Sequence, residues 1–144
     1  MSEQYELPGE WWTAPAESLD GDGIVMVTGR SDVAKFRANP KFSIRLTVTW
    51  PYDGAMPNDE EAAAMQEVTE ALGKTFATDP VAVLTGIYTG DGQRNWVFYT
   101  LSTHIFARKL NEALAAMPLL PLTMTAENDP AWHEYDEMSE LAPV

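Results

Sequence analysis

Arg94 and Trp96 stand two positions apart in the stretch "TGDGQRNWVFYT", residues 89–100. On a strand, residues i and i+2 point to the same face, so a guanidinium and an indole come side by side. Such a pair can grip an anionic or planar group through charge-assisted hydrogen bonds and stacking. The same pair has a purely structural use, with the indole in the core and the guanidinium paired to a nearby acid. Both uses stay open at this level.

Other reactive patterns are sparse. The chain has two histidines, His104 and His133. It has no His-Glu-x-x-His zinc motif, no Gly-x-Ser-x-Gly elbow and no Gly-x-x-x-x-Gly-Lys phosphate loop. The Gly21-Asp22-Gly23 triplet runs into Ile-Val-Met and reads as a turn. His133, Asp136 and Glu137 have the spacing that places ligands on one helical face, yet the segment is rich in acids and reads as a solvated helix. Asp59, Glu60 and Glu61 fall at a helix start, where anions suit the helix dipole. General acid–base catalysis needs a desolvated, perturbed carboxylate, and these patterns supply none. The expectation is therefore no catalytic residue, no metal and no cofactor.

Charge narrows the partners. Twenty-two acids face nine bases, a formal net charge of −13. Such a surface repels phosphate backbones, which argues against nucleic acid. It keeps a protein soluble, and it can also draw in a basic protein partner. Cysteine is absent, which removes disulfides and thiolate chemistry. The start "MSEQYELPGEWW" lacks the basic-then-apolar pattern of a signal peptide, and no apolar run reaches the ~18 residues of a membrane span. A cytoplasmic protein that avoids membranes is expected.

The elements that must position Arg94 and Trp96 follow from periodicity. Residues 1–22 read as an irregular N-terminal arm whose Trp11 and Trp12 pack on the body; residues 23–144 read as a single α+β domain. "GIVMVTG", residues 23–29, is a short glycine-bounded strand. In "KFSIRLTVTW", residues 41–50, Phe42, Ile44, Leu46, Val48 and Trp50 alternate with polar residues, the mark of a strand with one apolar face. Its sheet is expected to be covered on one side only. Asn58 and Glu61 form a capping box, and Met65, Val68, Leu72 and Phe76 give the buried stripe of the helix that follows.

Residues 80–90 and 94–102 are two strands joined by an Asp-Gly hairpin turn. Ser102 or Thr103 caps a second helix with Phe106, Leu110, Leu114 and Met117 on its buried face. "PLTMTAE" is a last strand. Asp129 then opens a short terminal helix as its N-cap, with Trp132 and Tyr135 as the docking face. From residue 41 the order is strand, helix, strand, strand, helix, strand. That is the ferredoxin-like split β-α-β sandwich: an antiparallel sheet with two helices on one face, here with an extra N-terminal strand and a short C-terminal helix.

The segments "TVTWPYDGAMP", "LTGIYTGDGQRNWVFYT", "FARKLNEAL" and "PLTMTAENDPAWHEY" resemble a bacterial domain-of-unknown-function family, the one numbered 695. The resemblance covers a strand-borne Trp-x-Tyr at Trp50 and Tyr52, the hairpin from Thr89 to Tyr99, and a terminal Asp-Pro-x-Trp-x-x-Tyr from Asp129 to Tyr135. Domains of this family are sometimes found beside one similar to the regulator of ribonuclease activity B, an acidic inhibitor of an RNA-degrading enzyme. That resemblance implies a regulatory, protein-binding role.

The candidate binding residues are thus Arg45, Trp50, Tyr52, Arg94, Trp96 and Trp132, although the tryptophans serve equally well as packing. The expected function is a non-catalytic regulatory or protein-binding domain with an acidic surface, for which a basic protein is the fitting partner. The alternative is a small-molecule or enzymatic pocket on the helix-free sheet face, near Arg94 and Trp96, where Arg45, Thr47 and Thr49 also lie. A homodimer through that open face is the third expectation.

Overall fold

The strand read from alternation at residues 41–50 begins at Ile44, and its inward residues Leu46, Val48 and Trp50 are buried. It is one of six strands in a computed structural model that describes residues 9–17, 23–54, 56–78, 80–117 and 120–143. The elements are β1 (Trp11–Glu17), β2 (Ile24–Arg30), α1 (Ala34–Arg37), β3 (Ile44–Pro51), α2 (Asp59–Thr78), β4 (Ala82–Gly90), β5 (Gln93–Thr100), α3 (Thr103–Ala113), β6 (Thr123–Asn128) and α4 (His133–Ser139). The strands form one open sheet in the order β1-β2-β4-β5-β3-β6, with each neighbouring pair antiparallel. Among the described residues no helix is long and apolar enough to cross a membrane.

Local chemistry explains most of the boundaries. Helix α2 starts at a reciprocal capping box: the Glu61 amide donates to the Asn58 side chain at 2.8 Å, and the Asn58 amide donates to the Glu61 carboxylate at 3.1 Å. Each bond satisfies an amide that helix geometry leaves orphaned. Ser102 caps α3 by accepting the Ile105 amide at 3.2 Å. Asp91 and Gly92, at φ 55° and 80°, make the two-residue turn between β4 and β5. Positive φ at both positions matches the twist of paired strands.

Helices α2 and α3 pack on one sheet face. Phe106 of α3 stacks on Phe76 of α2 at 4.9 Å between ring centroids and meets Phe98 of β5 edge-on at 4.8 Å. Met65, Val68 and Leu72 fill the layer beneath with Leu46, Val48 and Leu84. Burying each such side chain stabilises the fold by about 1.5–3 kcal/mol.

The opposite face departs from expectation, because it is not free of helices. Helix α4 crosses it, and Trp132, Tyr135 and Met138 form a second core with Val27, Val33, Phe42, Val83 and Tyr99. The apolar faces of β2 and β5 alternate on both sides, so both need cover. Phe42, expected on the same face as Leu46, precedes β3 and packs in this second core.

Residues 11–17 are likewise not irregular. They form edge strand β1, paired with β2 from Trp11–Arg30 to Glu17–Ile24. Consecutive strand residues point to opposite faces, so Trp11 packs against the first core and Trp12 against the second. Gly29 makes room for this strand: a Cβ there would lie 2.3 Å from the Trp12 indole. The acidic stretch at Asp20 and Asp22 lies outside the described residues.

Candidate functional site

The Asp91-Gly92 turn sets the register that builds the site. It pairs Gly90 with Gln93, and so Thr89 with Arg94. Arg94 Nε donates to Thr89 Oγ1 at 2.9 Å, and its guanidinium lies 5.9 Å from the Trp96 ring centroid. The two side chains do share a face, as their spacing requires. That face is the one beneath α2, not the helix-free face proposed from sequence. Trp96 is fully buried, and its Nε1 donates to Thr69 Oγ1 of α2 at 2.8 Å. Thr69 in turn donates to the Met65 carbonyl at 3.0 Å. The indole N–H is therefore committed to the core and stays out of reach of a ligand.

Arg94 is different. Arg30–Asp32, Arg37–Asp136 and Arg45–Glu127 form ion pairs, and among the described residues none is seen between Arg94 and a carboxylate. Burial pulls its guanidinium below the ordinary value, with the Tyr52 hydroxyl acting the other way. An arginine nonetheless stays charged. The group lines a cleft of about 520 Å³ between β2, β4, the residue 56–57 loop and α2. Thr28, Gln66, Thr69 and Thr89 supply polar edges there, while Met26, Met56, Pro57 and Ile87 supply apolar walls. With Nε held by Thr89, the Nη groups are the donors left for an incoming anion. A bidentate carboxylate is the group that fits such a fork. Among the described residues that line the cleft there is no histidine, carboxylate or lysine to act as a general acid or base.

The other candidates divide. Trp50 is buried beside Trp96, with 6.5 Å between ring centroids. Tyr52 is buried with its amide donating to the Gly92 carbonyl at 2.8 Å, and burial raises its hydroxyl above the ordinary value. Neither lines the Arg94 cleft. Arg45 lies on the opposite face, because its position in β3 is of the other parity from Trp50. It is paired with Glu127 across the β3–β6 register. The convergence of Arg45 with Arg94, Trp50 and Trp96 therefore does not occur.

Trp132 is a packing residue. Its Nε1 donates to the Phe42 carbonyl at 2.8 Å, and it adopts a left-handed backbone at φ 58°. It, rather than Asp129, occupies the N-cap position of α4. The Asp129 side chain still does the capping from three residues upstream, accepting the His133 and Glu134 amides at 3.0 and 3.1 Å. Asp129 also accepts the Tyr99 hydroxyl at 2.7 Å. Burial pushes its carboxyl up, but these three donors, with Arg45 nearby, outweigh that and leave it below the usual carboxylate range.

Glu134 goes the other way. Burial raises its carboxyl, against the hydrogen bond from the Tyr88 hydroxyl, and its Oε2 is buried without a partner. Asp136, grouped with His133 by sequence, is held bidentately by Arg37 at 2.6 and 2.7 Å. Among the described residues no cluster of three or more His, Asp or Glu is placed to hold a metal ion.

Sequence reasoning missed Thr89, Thr69 and Gln66 as neighbours of the cleft. Thr89 was within reach, since a two-residue hairpin turn dictates its pairing with Arg94. Thr69 and Gln66 depend on how α2 sits over the sheet, which no local pattern encodes.

The molecule is thus a mixed α/β domain built on one six-stranded antiparallel sheet, with an arginine-lined cleft beneath its longest helix. The chain belongs to a family of unknown function, DUF695, whose model matches residues 10–138. No curated protein and no solved structure matches it.

Proposed function

We propose that this chain is a non-catalytic regulatory domain that binds a small carboxylate in the Arg94 cleft, on a ferredoxin-like frame. The frame is supported by the element order from β3 to β6 and by the strand order β4-β5-β3-β6, which is that of a split β-α-β sandwich. Strands β1 and β2 extend it beside β4. The binding reading rests on one observation: Arg94 lines a cleft and has no carboxylate partner among the described residues. A half-buried charge without a counter-ion is a standing penalty, and a bound carboxylate relieves it. The apolar walls suit a ligand with an aliphatic or aromatic body, while the Gln66 amide and the Thr28 hydroxyl offer orientation.

Thermal shift with a panel of such carboxylates tests this reading. A ligand at one hundred times its Kd adds about 2.7 kcal/mol of stability. The shift should vanish in Arg94→Met; no shift with any member of the panel, or one that survives the substitution, removes the proposal.

A second reading is favoured by the net charge of −13: the acidic exterior holds a basic protein partner, whose capture should weaken as salt rises. Retention of no protein at low salt counts against it. Both readings suit a protein of the bacterial cytoplasm.

A further inference from the structure

Strand β6 ends the sheet, and all six of its residues, Thr123–Asn128, are exposed. Its outward-facing backbone follows from one bond. The Asp129 amide donates to the Ser43 carbonyl at 2.8 Å, continuing the register that pairs Ile44 with Asn128. Hydrogen-bonded and non-bonded pairs alternate in an antiparallel ladder. Thr123, Thr125 and Glu127 therefore bond to β3, while the N–H and C=O groups of Met124, Ala126 and Asn128 face outward. Among the described residues no other backbone group reaches them.

Edge strands are usually guarded by proline, charge or a bulge. The opposite edge, β1, carries Pro15 at its middle. Strand β6, "TMTAEN", has no proline and no lysine. Its only charge is Glu127, and that is neutralised by Arg45. Beside it, Leu110, Leu114, Met117, Leu120 and Leu122 line an apolar groove of about 520 Å³ that ends at Met124.

We infer that β6 pairs antiparallel with β6 of a second copy, making one continuous twelve-stranded sheet by doubling the six strands of each molecule. Two features select a second copy over a foreign strand. A two-fold axis at Met124 sets that residue against its own counterpart, Thr123 against Thr125, and Leu122 against Ala126, where the Leu122 carbonyl is the open group because its N–H donates to the Leu120 carbonyl at 2.8 Å. Each pair matches in polarity, as cross-strand neighbours do, and Glu127 falls outside the new ladder. The seam is also electrically neutral. Two molecules of charge −13 can associate only where acids do not oppose acids, whereas a basic strand would find no free acid in β6. Because the axis is perpendicular to the sheet, both apolar grooves come to the same side and cover one another across the seam.

Sedimentation velocity on the full chain, from micromolar to hundreds of micromolar, tests this. The expected result is a dimer whose Kd rises about tenfold or more in Met124→Lys, which sets two ammonium groups together at the axis. Ala126→Pro should have the same effect. It removes an outward N–H and spares the ladder to β3, a placement that edge strands tolerate. Circular dichroism and thermal melts should show both variants folded, and either variant alone suffices if the other fails to fold. A chain that stays monomeric throughout the range, or a dimer that persists in a folded variant, overturns the inference.

Discussion

Trp132 stacks on Tyr99 with ring centroids 4.0 Å apart and planes 14° from parallel. The contact ties the last helix to the centre of the sheet. The Tyr99 hydroxyl extends it, donating to Asp129 at 2.7 Å and accepting the Tyr135 amide at 3.3 Å. One strand residue thus organises the whole Asp129–Tyr135 motif, which clasps α4 to the sheet.

Trp132→Ala should therefore destabilise the fold by about 3–5 kcal/mol, the range for removing a buried tryptophan. Urea denaturation followed by circular dichroism measures it. A loss well under ~1 kcal/mol would mean that α4 docks without its anchor.

Arg94→Met should behave in the opposite sense. The substitution removes an uncompensated half-buried cation and keeps the aliphatic volume. The unliganded variant should match the parent or exceed it, within about 1 kcal/mol in guanidinium unfolding. A loss of several kcal/mol would make Arg94 a structural residue and weaken its assignment to binding.

Glu134 supplies a pH dependence with a definite sign. Its folded-state pKa is raised above the ordinary value of 4.5 by burial. Between 4.5 and that raised value the folded state binds more protons than the unfolded chain, so stability falls as pH rises through the window. Glu134→Gln should flatten the fall and be more stable than the parent near neutral pH, with the advantage fading below the ordinary value. Asp129, with its depressed pKa, contributes oppositely: its stabilisation is present above the ordinary value of 3.8 and lost as pH drops through the folded one. Urea midpoints for both proteins across an acid-to-neutral series separate the two contributions.

Gly29→Ala should dislodge β1, because the new Cβ would meet the Trp12 indole at 2.3 Å. The expected loss is about 1–3 kcal/mol, typical of overpacking. Trp12→Ala, destabilising by itself, should recover part of that loss when combined with it. A double-mutant cycle in thermal or chemical unfolding reads the coupling, and additivity would contradict the contact.

The legible parts of this fold are those encoded within a few residues. The Asn58–Glu61 box, the Ser102 cap, the Asp91-Gly92 turn and the alternation along β3 each carry their own physical cause. What escaped notice was set by distant partners. Strand β1 hides because Pro15 and the polar residues around it argue against a strand, yet an edge tolerates proline where the missing donor would face solvent. The docking face of α4 was legible in Trp132 and Tyr135, but the second core was not, because nothing local says that this short helix covers the other side of the sheet. Arg94 and Trp96 were correctly put on one face, but periodicity cannot say which face a helix will cover. The depth of Glu134 has no local signature at all.

The two neighbouring indoles of β1 have a mechanical outcome. Trp11 and Trp12 straddle the sheet like the jaws of a clip, one in each hydrophobic layer. Peeling this margin strand away would breach both layers at once, so it is not free to fray as a peripheral ribbon does. The amides it directs at β2, those of Trp12, Ala14 and Ala16, should exchange with deuterium about as slowly as those of the central strands.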